Sequence, residues 1–272
     1  MNDHVFGILY GVVQGLTEFL PVSSSGHLAL IPHFFQLKDP GVAFDLAMHV
    51  GTAMAVIGYF WKDLRGLFIS TLRICTSTIK QRNLDEVQHH PFLLNLLVAS
   101  GATFVGAMAL KNLAAQYGRS PMVISLNLIV VGIIMWVVDI RAKNIPQQGI
   151  ISQTAIRRSL LIGMSQSLAV WPGVSRSGAT LTMARMLGIS RREATAFSFL
   201  LGLPIILGGM LLKLKDFHQD ISLTVCLVGI AVSFLVGLLA IHFFLKFVEK
   251  IGLVPFSIYR ILLGFVLIFY FY

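Results

Sequence analysis

Charge is scarce in this chain. Only 12% of the residues are Asp, Glu, Lys or Arg, against 56% hydrophobic, a balance that excludes an ordinary soluble domain and describes a polytopic membrane protein. Cysteine is nearly absent: Cys75 and Cys226 stand apart with no CxxC or zinc spacing, so neither a disulfide framework nor a thiolate site is supported. No GxGxxG, Walker loop or CxxCH occurs, which removes nucleotide and haem readings. The N-terminus has no basic n-region, and Glu18 falls where a signal peptide is purely apolar, so residues 1–20 are expected to be retained. A net charge of +9 would suggest nucleic acid in a soluble protein. Here the cations collect between apolar segments, where membrane topology accounts for them, and no nucleic-acid partner is expected.

Against this oily background two short polar stretches stand out, LPVSSSGH at Leu20 to His27 and PGVSRSGA at Pro172 to Ala179. Shifted by 152 positions, Gly11, Gln14, Leu16, Val22, Ser23, Ser25 and Gly26 fall on Gly163, Gln166, Leu168, Val174, Ser175, Ser177 and Gly178. The chain reads as a duplication. Segments long enough to cross a bilayer lie near Ala43–Trp61, Pro91–Leu110, Pro121–Ile140, Ala194–Leu214, Ser222–Phe247 and Val254–Tyr272, since a full span needs roughly 20 apolar residues. The segments flanking the polar stretches are shorter, and they read as two re-entrant helical hairpins. Non-helical backbone at membrane depth is tolerated only where protein or a wet cavity surrounds it, so the two breaks should face each other.

Lys and Arg give the orientation. Lys62, Arg65, Arg73, Lys80 and Arg82 follow Trp61; Arg141, Lys143, Arg157 and Arg158 follow Ile140; Arg191, Arg192, Lys246 and Lys250 complete the richer side. Lys38, Lys111, Arg119, Lys213 and Lys215 oppose them. The richer side is expected to be cytoplasmic. With three crossings between the hairpins, the first enters from outside and the second from inside. The predicted fold is therefore all-α, an inverted-topology repeat with about six full spans and two re-entrant hairpins. It forms a single integral membrane domain, with repeat 1 at about 1–140 and repeat 2 at about 155–272; ten complete spans is the alternative.

The motifs carry the chemistry. Pro21 and Pro172 end helices by removing an amide donor, and the serines after them are natural N-caps for helices resuming near Gly26 and Gly178. The freed amides, with the hydroxyls of Ser23, Ser24, Ser25, Ser175, Ser177 and Thr180, suit an anion such as phosphate. The bland alternative is that the serines merely cap helix breaks. Arg176 sets the ligand's sign, because a guanidinium among apolar segments needs a partner and its fork matches phosphate oxygens. A plain ion pair with Glu18 is the competing role. Glu18, four residues after Gln14 on one helix face, is a candidate to hold a divalent cation, to accept a proton, or both. His27, three residues beyond Ser24, suits a general base or acid. Asp45 and His49 also share a helix face, but a helix-start carboxylate and a satisfied histidine are the preferred reading, so they are held in reserve. His33, His89, His90, His218 and His242 lack a partnered spacing, and Asp85 with Glu86 reads as a solvated loop pair.

At these residues the chain resembles a known family. QGLTEFLPVSSSGH at Gln14 to His27 and PGVSRSGAT at Pro172 to Thr180 resemble the paired signatures of bacterial undecaprenyl-diphosphatases, also called bacitracin-resistance proteins. The resemblance extends through AFSFLLGLP at Ala196 to Pro204 and VPFSIYR at Val254 to Arg260. It implies an inner-membrane enzyme that removes the terminal phosphate of a C55 polyprenyl diphosphate and returns the monophosphate carrier to peptidoglycan synthesis. A divalent cation, Mg or Ca, and a site opening outward belong to the same implication. Glu18, Ser24, His27 and Arg176 would be catalytic, Gln14, Ser23, Ser25, Gly26, Ser175, Ser177, Gly178 and Thr180 would bind substrate, and Glu18 would hold the metal. Family members carry Glu or Gln at the position of Gln14, and this chain has the neutral variant, which weakens a two-carboxylate metal site. The expected partners are the polyprenyl diphosphate and membrane lipids, with a homodimer left open. Ser24 with His27 as base, or a water activated by His27, would attack the terminal phosphorus. A carrier for phosphate or a lipid headgroup is the rival from another class, since broken helices meeting between inverted repeats are also transporter architecture.

Overall fold

The computed structural model describes residues 3–37, 39–81, 90–142, 149–150, 153–213 and 222–271. Lys38, Arg82, Asp85, Glu86, His89, Lys143, Lys215 and His218 lie outside the described residues, as do the side chains of Cys75, Lys80 and Lys213. The described residues are helical, with no strand among them. In chain order they form α1 (Asp3–Thr17), α2 (Ser24–Phe35), α3 (Gly41–Tyr59), α4 (Trp61–Gln81), α5 (Pro91–Tyr117) and α6 (Pro121–Arg141). After these come α7 (Ile156–Ser167), α8 (Arg176–Met186), α9 (Arg191–Lys213), α10 (Leu223–Ile251) and α11 (Val254–Phe271). A short 3₁₀ turn, Leu168–Val170, closes α7.

Among the described residues five stretches are long and apolar enough to cross a membrane: Pro91–Tyr117, Pro121–Arg141, Arg191–Leu211, Leu223–Ile251 and Val254–Phe271. The chain is a multi-pass membrane protein. The sixth expected span is α3, 19 residues long and thus about 28 Å. The hairpin helices are too short to cross a hydrocarbon layer of about 30 Å: α1 has 15 residues, α2 and α7 have 12 each, and α8 has 11. The basic segment after Trp61, expected as a loop, is instead the helix α4. Leu64 and Leu67 on one side of α4 reach the core, while Trp61, Phe68 and Leu72 with Lys62, Arg65 and Arg73 are exposed. Such a two-sided pattern is that of an interfacial helix rather than a loop.

The halves interlock. α1 packs along α10, and α7 packs along α5. Small residues allow the close approach: a methyl added at Gly11 would lie 2.6 Å from the Gly229 carbonyl oxygen, and one at Gly163 would collide with that of Ala99. Helices in lipid associate through such close contacts because apolar burial gains little there. α1 runs beside the start of α10, where Gly7 meets Val225. α7 runs beside the start of α5, where Asn95 of α5 binds the Ala155 amide just before α7. The start of α5 meets the start of α9 through Phe92 and Phe197, and the end of α10 meets it through Glu249 and Arg192. The two hairpins therefore enter from opposite ends of the molecule.

An ion-pair cluster closes each end. Asp139, fully buried, accepts two 3.0 Å bonds from Arg191 and one of 2.9 Å from the Leu253 amide, with Arg185 at 3.5 Å. At the other end Arg119 binds Asp39 at 3.0 Å and Asp45 at 3.5 Å. The apolar core fills the space between, and the two chain breaks meet within it.

Candidate active site

Each break is built on a strained serine. Ser23 has φ 75° and Ser175 has φ 72°, a left-handed region that ordinary residues avoid unless surrounding structure holds them there. Each caps the helix that follows: Ser23 Oγ accepts from the Gly26 amide at 3.4 Å, and Ser175 Oγ from the Gly178 amide at 3.0 Å. The two positions are equivalent under the 152-residue shift. Cross-links then sew the breaks together. The Gly173 amide donates to Ser23 Oγ at 3.0 Å, and Ser177 Oγ donates to the Leu20 carbonyl at 3.1 Å.

Arg260 of α11 is the deeper clasp. Fully buried, it donates to the carbonyls of Pro21 at 3.0 Å, Gly173 at 2.7 Å and Val174 at 2.9 Å. Pro21 belongs to the first break and the other two to the second. Weaker bonds of 3.5 Å reach Leu128 and Asn127 on α6. Breaking two helices leaves carbonyls without amides, and a guanidinium offers five donors in one rigid fork to meet them.

The breaks enclose a cavity of about 140 Å³ lined by Glu18, Ser24, Ser25, His49, Thr103, Gln166, Ser175 and Arg176, with Ala107, Ala169, Val170 and Ile205 as its apolar wall. Glu18, 6% exposed, is the hub. Its Oε1 pairs with Arg176 Nη2. Its Oε2 accepts from Ser24 Oγ at 2.5 Å and Gln14 Nε2 at 2.9 Å, with His49 Nε2 at 3.3 Å. Arg176 is fixed from its other side by donating to the Gly202 carbonyl at 2.9 Å. A hydroxyl held this close to a carboxylate has its proton acceptor in place, and the neighbouring guanidinium favours anionic oxygens.

Of the twelve residues expected at the site, Glu18, Ser24, Ser25, Ser175 and Arg176 line the cavity. Gln14 stands behind Glu18 and also reaches Thr52 Oγ1 at 3.3 Å. Ser23 and Ser177 are spent joining the breaks, and Gly26 and Gly178 lie under their caps. Thr180 is turned toward Ser198, 2.6 Å away. His27 is not brought to the cavity: its Nδ1 lies 2.8 Å from the Ser23 carbonyl and its Nε2 2.7 Å from the Tyr259 hydroxyl. The carbonyl folds the ring back along its own helix, so it does not face Ser24. The imidazole in the cavity belongs to His49, from the pair held in reserve.

A divalent cation resident on Glu18 does not fit this donor set. Both carboxylate oxygens already accept N–H or O–H donors, Gln14 turns its amide N–H toward them, and no group of three or more His, Cys, Asp or Glu converges among the described residues. Four residues were missed or set aside: His49, Thr103, Gln166 and Arg260. Gln166 had a signal as the repeat partner of Gln14. Arg260 lay inside the VPFSIYR stretch and His49 four residues after Asp45, whereas Thr103 carries no local mark.

The chain matches the family described as Bacitracin resistance protein BacA over residues 7–266. It is 39% identical over 260 residues to the Undecaprenyl-diphosphatase of Gemmatimonas aurantiaca, covering 95% of this chain and 94% of that protein. Undecaprenyl-diphosphatase 2 of Stutzerimonas stutzeri is 39% identical over 268 residues, and the Undecaprenyl-diphosphatase of Saccharophagus degradans 38% over 265; each alignment covers 96% of both chains.

Proposed function

The chain belongs to the bacitracin resistance protein BacA family, and from that premise we infer that it is an undecaprenyl-diphosphatase. It hydrolyses the C55 polyprenyl diphosphate to the monophosphate and phosphate, and so returns the lipid carrier to peptidoglycan synthesis. The observation that carries the chemistry is the 2.5 Å bond from Ser24 Oγ to Glu18 Oε2, beside Arg176. A carrier needs a charged cavity but no such nucleophile and base.

In the proposed reaction the prenyl tail stays in lipid while the diphosphate enters between the breaks. Arg176, the start of α2 and the cavity hydroxyls balance its charge, where fixed donors act without the reorganisation that water would need. Glu18 takes the Ser24 proton, Oγ bonds to the terminal phosphorus, and the monophosphate leaves. Glu18 thus takes the base role first assigned to His27. A divalent cation, Mg or Ca, would neutralise diphosphate charge, and we place it with the incoming substrate rather than on Glu18. The protein sits in the bacterial inner membrane with its site opening outward, a reading supported by the Lys and Arg asymmetry.

The test is phosphate release from the C55 diphosphate by purified protein in detergent, where transport has no meaning. Ser24→Ala should lower release by about 10² to 10⁴-fold; release at the wild-type rate would refute Ser24 as the nucleophile, and no release by the unaltered protein would leave the cavity to a carrier.

A further inference from the structure

One residue lining the cavity carries a feature that an anion does not explain. Of the buried polar side-chain atoms without a partner among the described residues, only Gln166 Oε1 belongs to a residue lining it. Gln166 is 2% exposed, and its orientation is dictated by its neighbours. Its amide nitrogen lies 3.2 Å from Thr103 Oγ1 and 3.4 Å from the Leu201 carbonyl. A carbonyl only accepts. Thr103 directs its own proton to the carbonyls of Ala99 at 2.8 Å or Gly163 at 3.0 Å, so its oxygen also presents a lone pair to Gln166. Both neighbours demand the N–H₂ edge, and a flipped amide would set oxygen against two acceptors. The carbonyl edge is therefore left over.

A buried acceptor without a donor is unfavourable, and a phosphate oxygen cannot relieve it, because ionised phosphate is itself an acceptor. What satisfies it is a small donor, and the donor that phosphate hydrolysis requires is water. We propose that Gln166 is a catalytic residue of the second half of the reaction: its side-chain carbonyl accepts a hydrogen bond from the water that attacks phosphorylated Ser24. The assignment rests on the reading of Ser24 as nucleophile.

The step balances without further reagents. The water oxygen bonds to phosphorus as the bond from phosphorus to Oγ breaks. Glu18, protonated in the first half, returns its proton to Oγ. Both water hydrogens leave with the product as dihydrogen phosphate. Gln166 moves no proton; it fixes where the water oxygen lies, and a loss of alignment of this kind lowers rates by about 10²-fold.

The experiment uses the full-length protein in detergent and C55 diphosphate carrying ³²P in its terminal phosphate, quenched in acid, which preserves phosphoserine. With Gln166→Leu, the first turnover of monophosphate should stay within about threefold of wild type, while phosphate release falls by about 10²-fold and label accumulates on the protein. Equal slowing of both products with no labelled protein, or no slowing at all, overturns the proposal. Gln166→Glu keeps an acceptor at the same place and guards against a folding failure. Its phosphate release should be limited by a raised KM, from the added negative charge, and it should not accumulate label; accumulation in this variant too counts against the proposal. Ser24→Ala separates the two readings. If it still releases phosphate the nucleophile assignment has failed, and with it the inference; if it is inactive and Gln166→Leu shows no trapped label, only the Gln166 role has failed.

Discussion

The two breaks share a backbone and divide the chemistry. Ser23 and Ser175 share a positive φ and each caps the amide three residues on, yet the side chains in and around the cavity differ at equivalent positions. Ser24 corresponds to Arg176, Glu18 to Val170, Pro21 to Gly173 and His27 to Ala179. In the proposed reaction one half supplies nucleophile and base, and the other supplies the cation. A duplicated frame makes this inexpensive to arrange, because two helix starts already converge and each needs only its own substitutions. It also lets Glu18 and Arg176 meet, the acid from one copy and the cation from the other.

If the chemistry is divided in this way, the largest losses should follow removal of either half's distinctive group. Glu18→Gln keeps the size of the side chain but not its basicity, and phosphate release should fall by about 10² to 10⁴-fold, with a lower unfolding temperature in detergent as well because buried Arg176 loses its carboxylate. Activity close to wild type would return the base role to another residue. Arg176→Lys should be nearly as damaging, about 10²-fold, because one ammonium cannot reproduce a fork that bonds Gly202 and Glu18 at once. A Lys variant with full turnover would reduce Arg176 to a point charge.

The next test strikes what the breaks share. Arg260→Met removes the donors to carbonyls of both, and stranding buried acceptors costs on the order of 3 kcal/mol. The expected result is a lower unfolding temperature first and lost activity as a consequence. If turnover disappears while the unfolding temperature holds, Arg260 acts on the substrate instead.

The shared frame was legible in the residues, while the division of labour was legible only in part. Proline followed by serine and glycine inside apolar sequence announces a broken, capped helix, and a 152-residue recurrence announces two of them. Ser24, Glu18 and Arg176 were found because each is the unusual residue in its own break. His27 and His49 show what local reading misses. Three residues beyond Ser24 is a neighbouring place on a helix, but a side chain that bonds the carbonyl four residues back is drawn along its own helix. His49 reaches Glu18 from α3, and Arg260 reaches Pro21 across 239 residues. Contacts at such separations leave no mark in spacing.

His27 therefore supplies a sharper test of the comparison, because its counterpart Ala179 has no ring at all. Its bond to the Ser23 carbonyl makes it a brace for the first break. His27→Ala should lower kcat by about tenfold without removing an ionisation from the pH–rate profile, and His27→Asn, which restores a donor near Nδ1, should recover most of it. Loss of an ionisation in both variants would make His27 a proton carrier after all.

The smallest effect belongs to Thr180, whose counterpart in the first half is the buried Leu28. Thr180 was expected to bind substrate, yet its hydroxyl lies 2.9 Å from the Arg176 carbonyl and 2.6 Å from Ser198 Oγ. A hydroxyl has one proton; if Thr180 gives it to the carbonyl, Ser198 must donate to Thr180. Thr180→Val is nearly isosteric and strands the Ser198 proton, a loss of about 1 to 3 kcal/mol. KM and kcat should stay within about threefold, since the side chain does not line the cavity. Unfolding in detergent and steady-state phosphate release would separate the two outcomes: a raised KM at unchanged stability would put Thr180 back against the diphosphate and give the second half a binding hydroxyl that the first half, with leucine there, lacks.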